Sequence, residues 1–436
     1  MKNFAKQYWG AMLLVVVALL YLIPYYFAIR QEKDPVIEIY FADRITAAHQ
    51  VLIDKYNALN AGRVRVVPTD FPNDDFSTNE RKEILARSLR GEGDGIDLFA
   101  VDVIWVARFA KWCEPLGNYF TPEELRKIST ISLQACYIDS HLVAIPFVRD
   151  QGVLLYREDL LRQMPGGPAM IRRLDKGITW DEFSAFNRGQ SKRQPFYIFP
   201  AAEYEGMICS FIENLLSVDP EYFSRHGFDF NTPEARKTLQ LMVDLINKDR
   251  STPSIVTSFT EVPSFKYFIE NDGLFIRGWT TYDKDFEKSP FDVKKQSMLK
   301  KAPLPFMAGG TPSSVLGGWD LMISKFSTKK EAVADFVKFL IREESQEIFY
   351  SQSGYYPVLN SFYEDSSYSR KYPDISFIKT LLKSGVYRPS HQDYTKYSKI
   401  MSYYFTLALK KRITVNEALE RTTMAIHSDK SMTDTY

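Results

Sequence analysis

Side chains able to hydrogen-bond a polar ligand stand just past three β-rich runs of this 436-residue chain. Val36–Phe41 leads into Asp43 and Arg44, Arg63–Val67 into Asp70, and Ile96–Val101 into Asp102 and then Trp105. Carboxylates and a guanidinium bind hydroxyl groups, and an indole offers a flat apolar face to a ring. In open α/β sheets ligands lie beyond the carboxyl ends of the strands, so these exits are where such chemistry belongs. Asp and Thr also cap the helices that follow strands. The residues by themselves therefore leave Asp43 and Asp70 open between ligand and cap, and Trp105 open between ligand and core.

Signatures of covalent or metal chemistry are missing. His49, His141, His226, His391 and His427 stand alone, without metal-ligand spacing. Cys113, Cys136 and Cys209 are odd in number and far apart, so they read as small buried apolar residues. There is no G-x-S-x-G elbow and no phosphate loop ending in Gly-Lys-Ser/Thr. Gly91–Gly95 is glycine-rich but follows a helix and precedes a strand, the wrong order for a helix N-terminus to meet phosphate. Nothing singles out a carboxylate pair for glycoside hydrolysis. No cofactor, no metal site and no enzymatic activity are expected.

The elements that would hold these residues alternate regularly. Thr46–Asn60 places Ala48, Val51, Leu52, Tyr56 and Leu59 at helical spacing, and Asn79–Arg90 does the same with Ile84, Leu85, Ser88 and Leu89. With the three β-rich runs this makes strand-helix-strand-helix-strand, which predicts a parallel sheet with right-handed crossovers. Helix starts recur at Thr121–Glu124, Thr179–Glu182 and Thr328–Glu331, each with a capping-box pattern, and at Asn231–Pro233. A helix from Glu331 is expected to run to Ser353 and stop at Gly354. Met164–Asp175, rich in Pro and Gly, reads as a surface loop.

The length calls for two domains. A net charge of +1 gives no electrostatic reason for a nucleic-acid partner, and the 14% aromatic content is high: large cores use some of it, and flat polar ligands also select tyrosine and tryptophan as stacking surfaces. From Gln7 to Ile29 no side chain is charged, long enough for a helix across a hydrocarbon core of about 30 Å. Lys2 and Lys6 precede it, which keeps the N-terminus inside and exports the rest. Ala28 sits in a poor cleavage site and no lipid-accepting cysteine follows, so residues 8–29 are expected to remain as a membrane anchor.

Several segments, in order, resemble the family 1 extracellular solute-binding proteins of ABC importers, above all the maltose/trehalose-type sugar binders. They are IDLFAVDVIWVARFAKWCEPLGNYFT (Ile96–Thr121), HLVAIPFVRDQGVLLYREDLL (His141–Leu161), GITWDEFSAF (Gly177–Phe186) and NDGLFIRGWTTY (Asn271–Tyr282). The most specific is Ala302–Leu340, with its P-L-P and L-G-G-W-x-L-x-I-S runs, and SGYYPV (Ser353–Val358) and YRPS (Tyr387–Ser390) complete the set. Leu274 replaces a residue that is usually small in the family, and a retained membrane helix departs from its usual cleaved or lipid-attached form.

The resemblance implies a fold of class α/β, a two-lobed periplasmic-binding-protein-like fold with hinge strands near Ile145–Gln151 and Val315–Trp319, plus one N-terminal transmembrane helix. Residues 1–34 would be the anchor and exit segment, 35–147 and 317–370 lobe 1, and 148–316 and 371–436 lobe 2. It implies a sugar or oligosaccharide gripped by hinge closure outside the cytoplasmic membrane, in the periplasm or at the cell surface, with ABC permease subunits as partners. The implied ligand-binding residues are Asp43, Arg44, Asp70, Asp102, Trp105, Asp150, Glu203, Tyr204, Trp279, Gly317, Gly318, Trp319 and Arg388. Within that set, Trp279 and Trp319 would stack on the ligand, the acids would take hydroxyls, and the two glycines would let backbone approach closely. A tethered sensor ectodomain and an extracytoplasmic carbohydrate-active enzyme are the alternatives.

Overall fold

The computed structural model describes residues 2–29, 35–71, 78–190, 194–285 and 292–428. Eleven strands organise them. β1 (Ile37–Asp43), β2 (Val64–Asp70) and β3 (Leu98–Asp102) come first, followed by a small hairpin of β4 (Tyr137–Ile138) and β5 (His141–Leu142). β6 (Ile145–Arg157) is the longest, and β7 (Tyr197–Ile198), β8 (Phe275–Trp279), β9 (Leu299–Ala302), β10 (Ser314–Ile323) and β11 (Gly385–Val386) complete the set. β1 lies between β2 and β3 and is parallel to both, with Ile37 opposite Val64 and Phe41 opposite Leu98. The alternation read from the sequence is thus borne out, and the helices Ala47–Leu59 and Thr78–Arg90 make the two crossovers. Each of these strands runs further than its β-rich run, so that Asp43, Asp70 and Asp102 are their last residues.

The sheet continues through β10, β6, β8 and β7, but the apolar residues behind it form two separate cores. One gathers Ile39, Phe41, Leu52, Leu85, Phe99, Phe147, Leu321 and Phe336, and the other Leu154, Phe183, Phe211, Phe265, Phe275 and Phe405. Each fully buried Leu or Phe stabilises its lobe by about 1.5–3 kcal/mol. β6 and β10 serve both cores. Ile145, Phe147 and Val148 of β6 pack in the first of these cores, whereas Val153–Tyr156 pack in the second. β10 enters in lobe 2 at Val315 and leaves in lobe 1 at Leu321–Ile323. The chain is therefore a two-lobed α/β fold of the periplasmic-binding-protein type, with two antiparallel strands crossing between the halves.

At the crossing the packing turns polar. Arg149 pairs with Asp320 at 2.7 Å, both wholly buried, and Gln151 Nε2 donates to Ser314 Oγ at 2.6 Å and to the Leu381 carbonyl at 2.8 Å. The ladder slips between Trp319 and Asp320, and Gly318 sits at φ +129°, where a side chain would also meet the Val148 carbonyl.

Some local expectations change. Residues 330–353 form two helices, Lys330–Leu340 and Glu343–Ser353, broken at Ile341–Arg342, and the first has Lys329 rather than Thr328 at its N-cap. Met164–Asp175 contains a helix, Gly167–Leu174, because Met170 and Leu174 bury against lobe 2. The N-terminal residues form one helix, Lys2–Ile29, whose apolar side chains from Met12 to Leu14 and at Leu20 to Ile23 are exposed. Among the described residues no helix is long and apolar enough to cross a membrane. The side chains of Lys2, Lys6, Tyr25 and Tyr26 and the exit segment 31–34 lie outside the described residues.

Candidate functional site

Between the lobes lies a cavity of about 440 Å³, and the ends of β1, β3, β8 and the middle of β10 all open onto it. From lobe 1 come Asp43, Arg44 and Asp102, from the crossing strands Asp150, Gly317, Gly318 and Trp319, and from lobe 2 Tyr204, Trp279 and Arg388. Asp43, Asp102 and Trp279 are the last residues of their strands, and the carboxyl edge they share is where open α/β sheets take ligands.

The acids are held by specific donors. Asp43 accepts from the Arg44 backbone N–H at 2.7 Å and lies 3.2 Å from His49 Nε2. Asp102 does both things its position allows: it caps the following turn through Ile104 N–H at 3.2 Å and takes Arg388 Nη2 at 2.5 Å. Arg388, 4% exposed, also donates to Glu205 at 3.0 Å. The two indoles have parallel settings. Arg277 lies 4.1 Å from the centre of Trp279, and Arg81 lies 4.0 Å from that of Trp319. Each guanidinium covers part of one ring and fixes its orientation.

Burial shifts several groups. The Glu261 carboxyl is pushed above the usual range by loss of water, against backbone N–H at its helix start, Tyr204, Arg277 and Trp279. Burial also lowers the Arg81 guanidinium, although Asp43 opposes the shift from 3.8 Å. Among the described residues, Arg81 Nε and Nη1 are buried without a hydrogen-bond partner on the cavity wall. Among the described residues no cluster of three or more His, Cys, Asp or Glu side chains is placed to hold a metal.

Residues 42–347 match the family of bacterial extracellular solute-binding proteins. The chain belongs to that family. The solute-binding protein is 25% identical over 336 residues to a probable ABC transporter-binding protein of Deinococcus radiodurans, across 74% of this chain and 76% of that one. Its fold is similar to maltose-bound MalE3 of T. maritima, with a TM-score of 0.80 and 24% identity over 91% of this chain and 100% of the other. A solute-binding protein of Agrobacterium radiobacter K84 in complex with ribitol has a TM-score of 0.74 at 17% identity, over 91% and 100% of the two chains. At these identities the structures speak for the fold.

Three expected site residues of the solute-binding protein lie elsewhere. Asp70 is exposed, and its carboxylate accepts from Ile45 N–H at 2.7 Å, tying down the loop after β1. Trp105 is 2% exposed: the short turn after Asp102 rotates it into the lobe 1 core, with Lys82 Nζ 4.9 Å above its ring. Glu203 is exposed one residue before the chain turns inward, and the acid on the cavity is Glu205, at the start of helix Glu205–Val218. Arg81, Glu205, Glu261 and Tyr282 were absent from the expected set. Arg81 carried a signal, since it precedes Leu85 by four residues and so shares its inward helical face. Tyr282 ends the quoted Asn271–Tyr282 segment, and Glu261 carries no signal, because only the packing of lobe 2 brings it to Trp279.

Proposed function

We propose that this solute-binding protein takes a sugar or oligosaccharide into the interlobe cavity and delivers it to an ABC importer. The observation that carries the reading is the pairing of two indoles, Trp279 and Trp319, with carboxylates and guanidinia drawn from both lobes around one cavity of about 440 Å³. Sugar rings have apolar faces that stack on indoles and hydroxyl rims that need charged or polar partners. Maltose, ribitol and cycloalternan are named for structures of similar fold, which supports the same ligand class. The lobes, 35–147 with 317–370 and 148–316 with 371–436, would close about the crossing strands, and the ligand must favour that closed state. Binding rather than turnover is the role.

The protein works outside the cytoplasmic membrane, and its anchor there would be the uncharged run within helix Lys2–Ile29, whose described side chains, 9–23, join neither core. Calorimetry against mono-, di- and oligosaccharides is expected to give one-site binding with at least one neutral sugar and no hydrolysis on incubation. Failure of every sugar overturns the ligand class, and release of hydrolysis products overturns the binding role. Membrane fractionation of full-length protein is expected to place it in the pellet, and a shortened soluble form overturns the anchor.

A further inference from the structure

We propose that the edge of lobe 1 opposite the cavity is a membrane-contacting surface, which lies against anionic lipid headgroups and keeps the cavity clear of the bilayer.

The chain itself limits where lobe 1 can stand. The inference rests on the reading of the uncharged run within helix Lys2–Ile29 as an anchor. Between that helix and Ile37, the first residue of β1, come residues 30–36, which span no more than about 30 Å when fully extended. β1 therefore starts near the bilayer surface, and its start shares one edge with the ends of several other elements. Ile37 N–H donates to the Arg63 carbonyl at 2.9 Å, and Arg63 N–H donates to the Asn60 carbonyl at 2.9 Å, where helix Ala47–Leu59 stops. Asp97 N–H donates to the Tyr40 carbonyl at 3.0 Å, and Ser324 N–H to the Asp97 carbonyl at 2.9 Å. Helix Thr78–Arg90 runs out at Gly91, and a side chain at Gly93 would lie 3.6 Å from Phe326, just past β10.

The composition of that edge fits a lipid surface in two ways. Outside the N-terminal helix, eleven large apolar side chains are exposed among the described residues, and four of them, Val36, Ile37, Leu59 and Phe326, stand here. Scattered singly they would need no explanation, but gathered beside the tether they suit the boundary of headgroups and acyl chains. Five exposed cations, Arg63, Arg65, Arg87, Arg90 and Lys325, share the edge with Glu38, Glu92 and Asp94. Setting aside Arg65 and Glu38, which pair at 3.8 Å, four cations stand against two acids. Arg87 and Arg90 also suit the end of their helix, but Arg63 and Lys325 belong to other elements. Basic side chains at a bilayer are drawn to anionic lipid. From Ile37 to Asp43 the strand rises about 20 Å, so lipid contact at its start leaves the cavity at its end clear for solute and for a permease.

The test places a fluorophore at L59C on this edge or, for reference, at M424C in lobe 2; both positions are exposed and the three native cysteines are buried. Full-length protein is reconstituted in nanodiscs of phosphatidylcholine, with or without an equal part of phosphatidylglycerol, each doped with a lipid that carries a nitroxide on its headgroup. Quenching at L59C is expected to be at least about threefold stronger in the anionic discs than in the neutral ones, and quenching at M424C weak in both. The tether alone brings residue 59 near lipid in either disc, so dependence on lipid charge is what reports the contact. The triple variant R63Q/R90Q/K325Q is expected to lower L59C quenching in anionic discs to the level of neutral ones. Circular dichroism checks its folding, and the parent's dependence on lipid charge decides where the variant does not fold. Co-elution of protein with the discs reads the anchor separately. Protein that co-elutes but shows L59C quenching indifferent to lipid charge or to the triple variant, or M424C quenched as strongly as L59C, overturns the surface and leaves the anchor standing. Protein that does not co-elute overturns both.

Discussion

Gly317 faces the Trp279 ring so closely that a methyl group at residue 317 would sit 3.1 Å from the indole and 2.3 Å from Asp150 Oδ1. The missing side chain is what lets β10 bring a stacking ring and a carboxylate to one wall of the cavity. Gly317→Ala is expected to displace one of the two and weaken sugar binding at least about tenfold with little change in the thermal midpoint. Calorimetry beside a melting curve reads both. Gly318→Ala should behave in the opposite way. At φ +129° and against the Val148 carbonyl, it is expected to cost about 1–3 kcal/mol in urea unfolding.

Trp279→Ala and Trp319→Ala each remove a stacking surface that is half-exposed on the cavity. Each is expected to weaken the best-binding sugar by about five- to tenfold, which is roughly 1 kcal/mol, without unfolding the protein. Unchanged affinity in both variants would reject the site.

Behind Trp279, Arg277 and Glu213 form an ion pair at 2.7 Å with side chains 1% and 4% exposed. Arg277→Met leaves the Glu213 charge alone in the lobe 2 core, and a loss of about 3–5 kcal/mol in urea unfolding is expected. The double variant, Arg277→Met with Glu213→Leu, is expected to recover part of that loss, because no unpaired charge remains. A double variant no more stable than Arg277→Met would show that the charge is not what makes the single change costly.

Glu261 gives the native state a pH signature. Its carboxyl is raised above 4.5 by burial, so between 4.5 and the raised value the folded protein binds the proton and the unfolded chain does not. Stability from this group therefore falls as pH rises through that window and is fully present below 4.5. Glu261→Gln is expected to be more stable than the parent at pH 7, with the difference closing as pH drops to 4. Urea unfolding across that range checks it, and a difference that widens toward acid would reverse the sign of the argument.

How much of this was legible in the chain differs from residue to residue. Asp43 and Asp102 were readable because a strand exit is a local event, marked by where a β-rich run gives way to polar residues. Asp70 shows the limit of that rule, since the same local pattern turned its carboxylate toward the backbone of Ile45. Trp105 shows another: the three-residue turn that follows Asp102 rotates it inward, and no periodicity in three residues announces that.

The sequence by itself determined the alternating strands and helices of the first lobe, because apolar spacing, caps and strand ends are set by neighbours a few positions away, whereas the two lobes and most of the expected cavity residues were legible through the family resemblance. Tertiary structure alone decided which charges meet. Arg388 finds Asp102 across 286 residues and Glu205 across 183, and Glu261 reaches Trp279 only once the second core has formed. Long-range partners of a charge follow from which surfaces are buried together, and that is settled when the lobes pack.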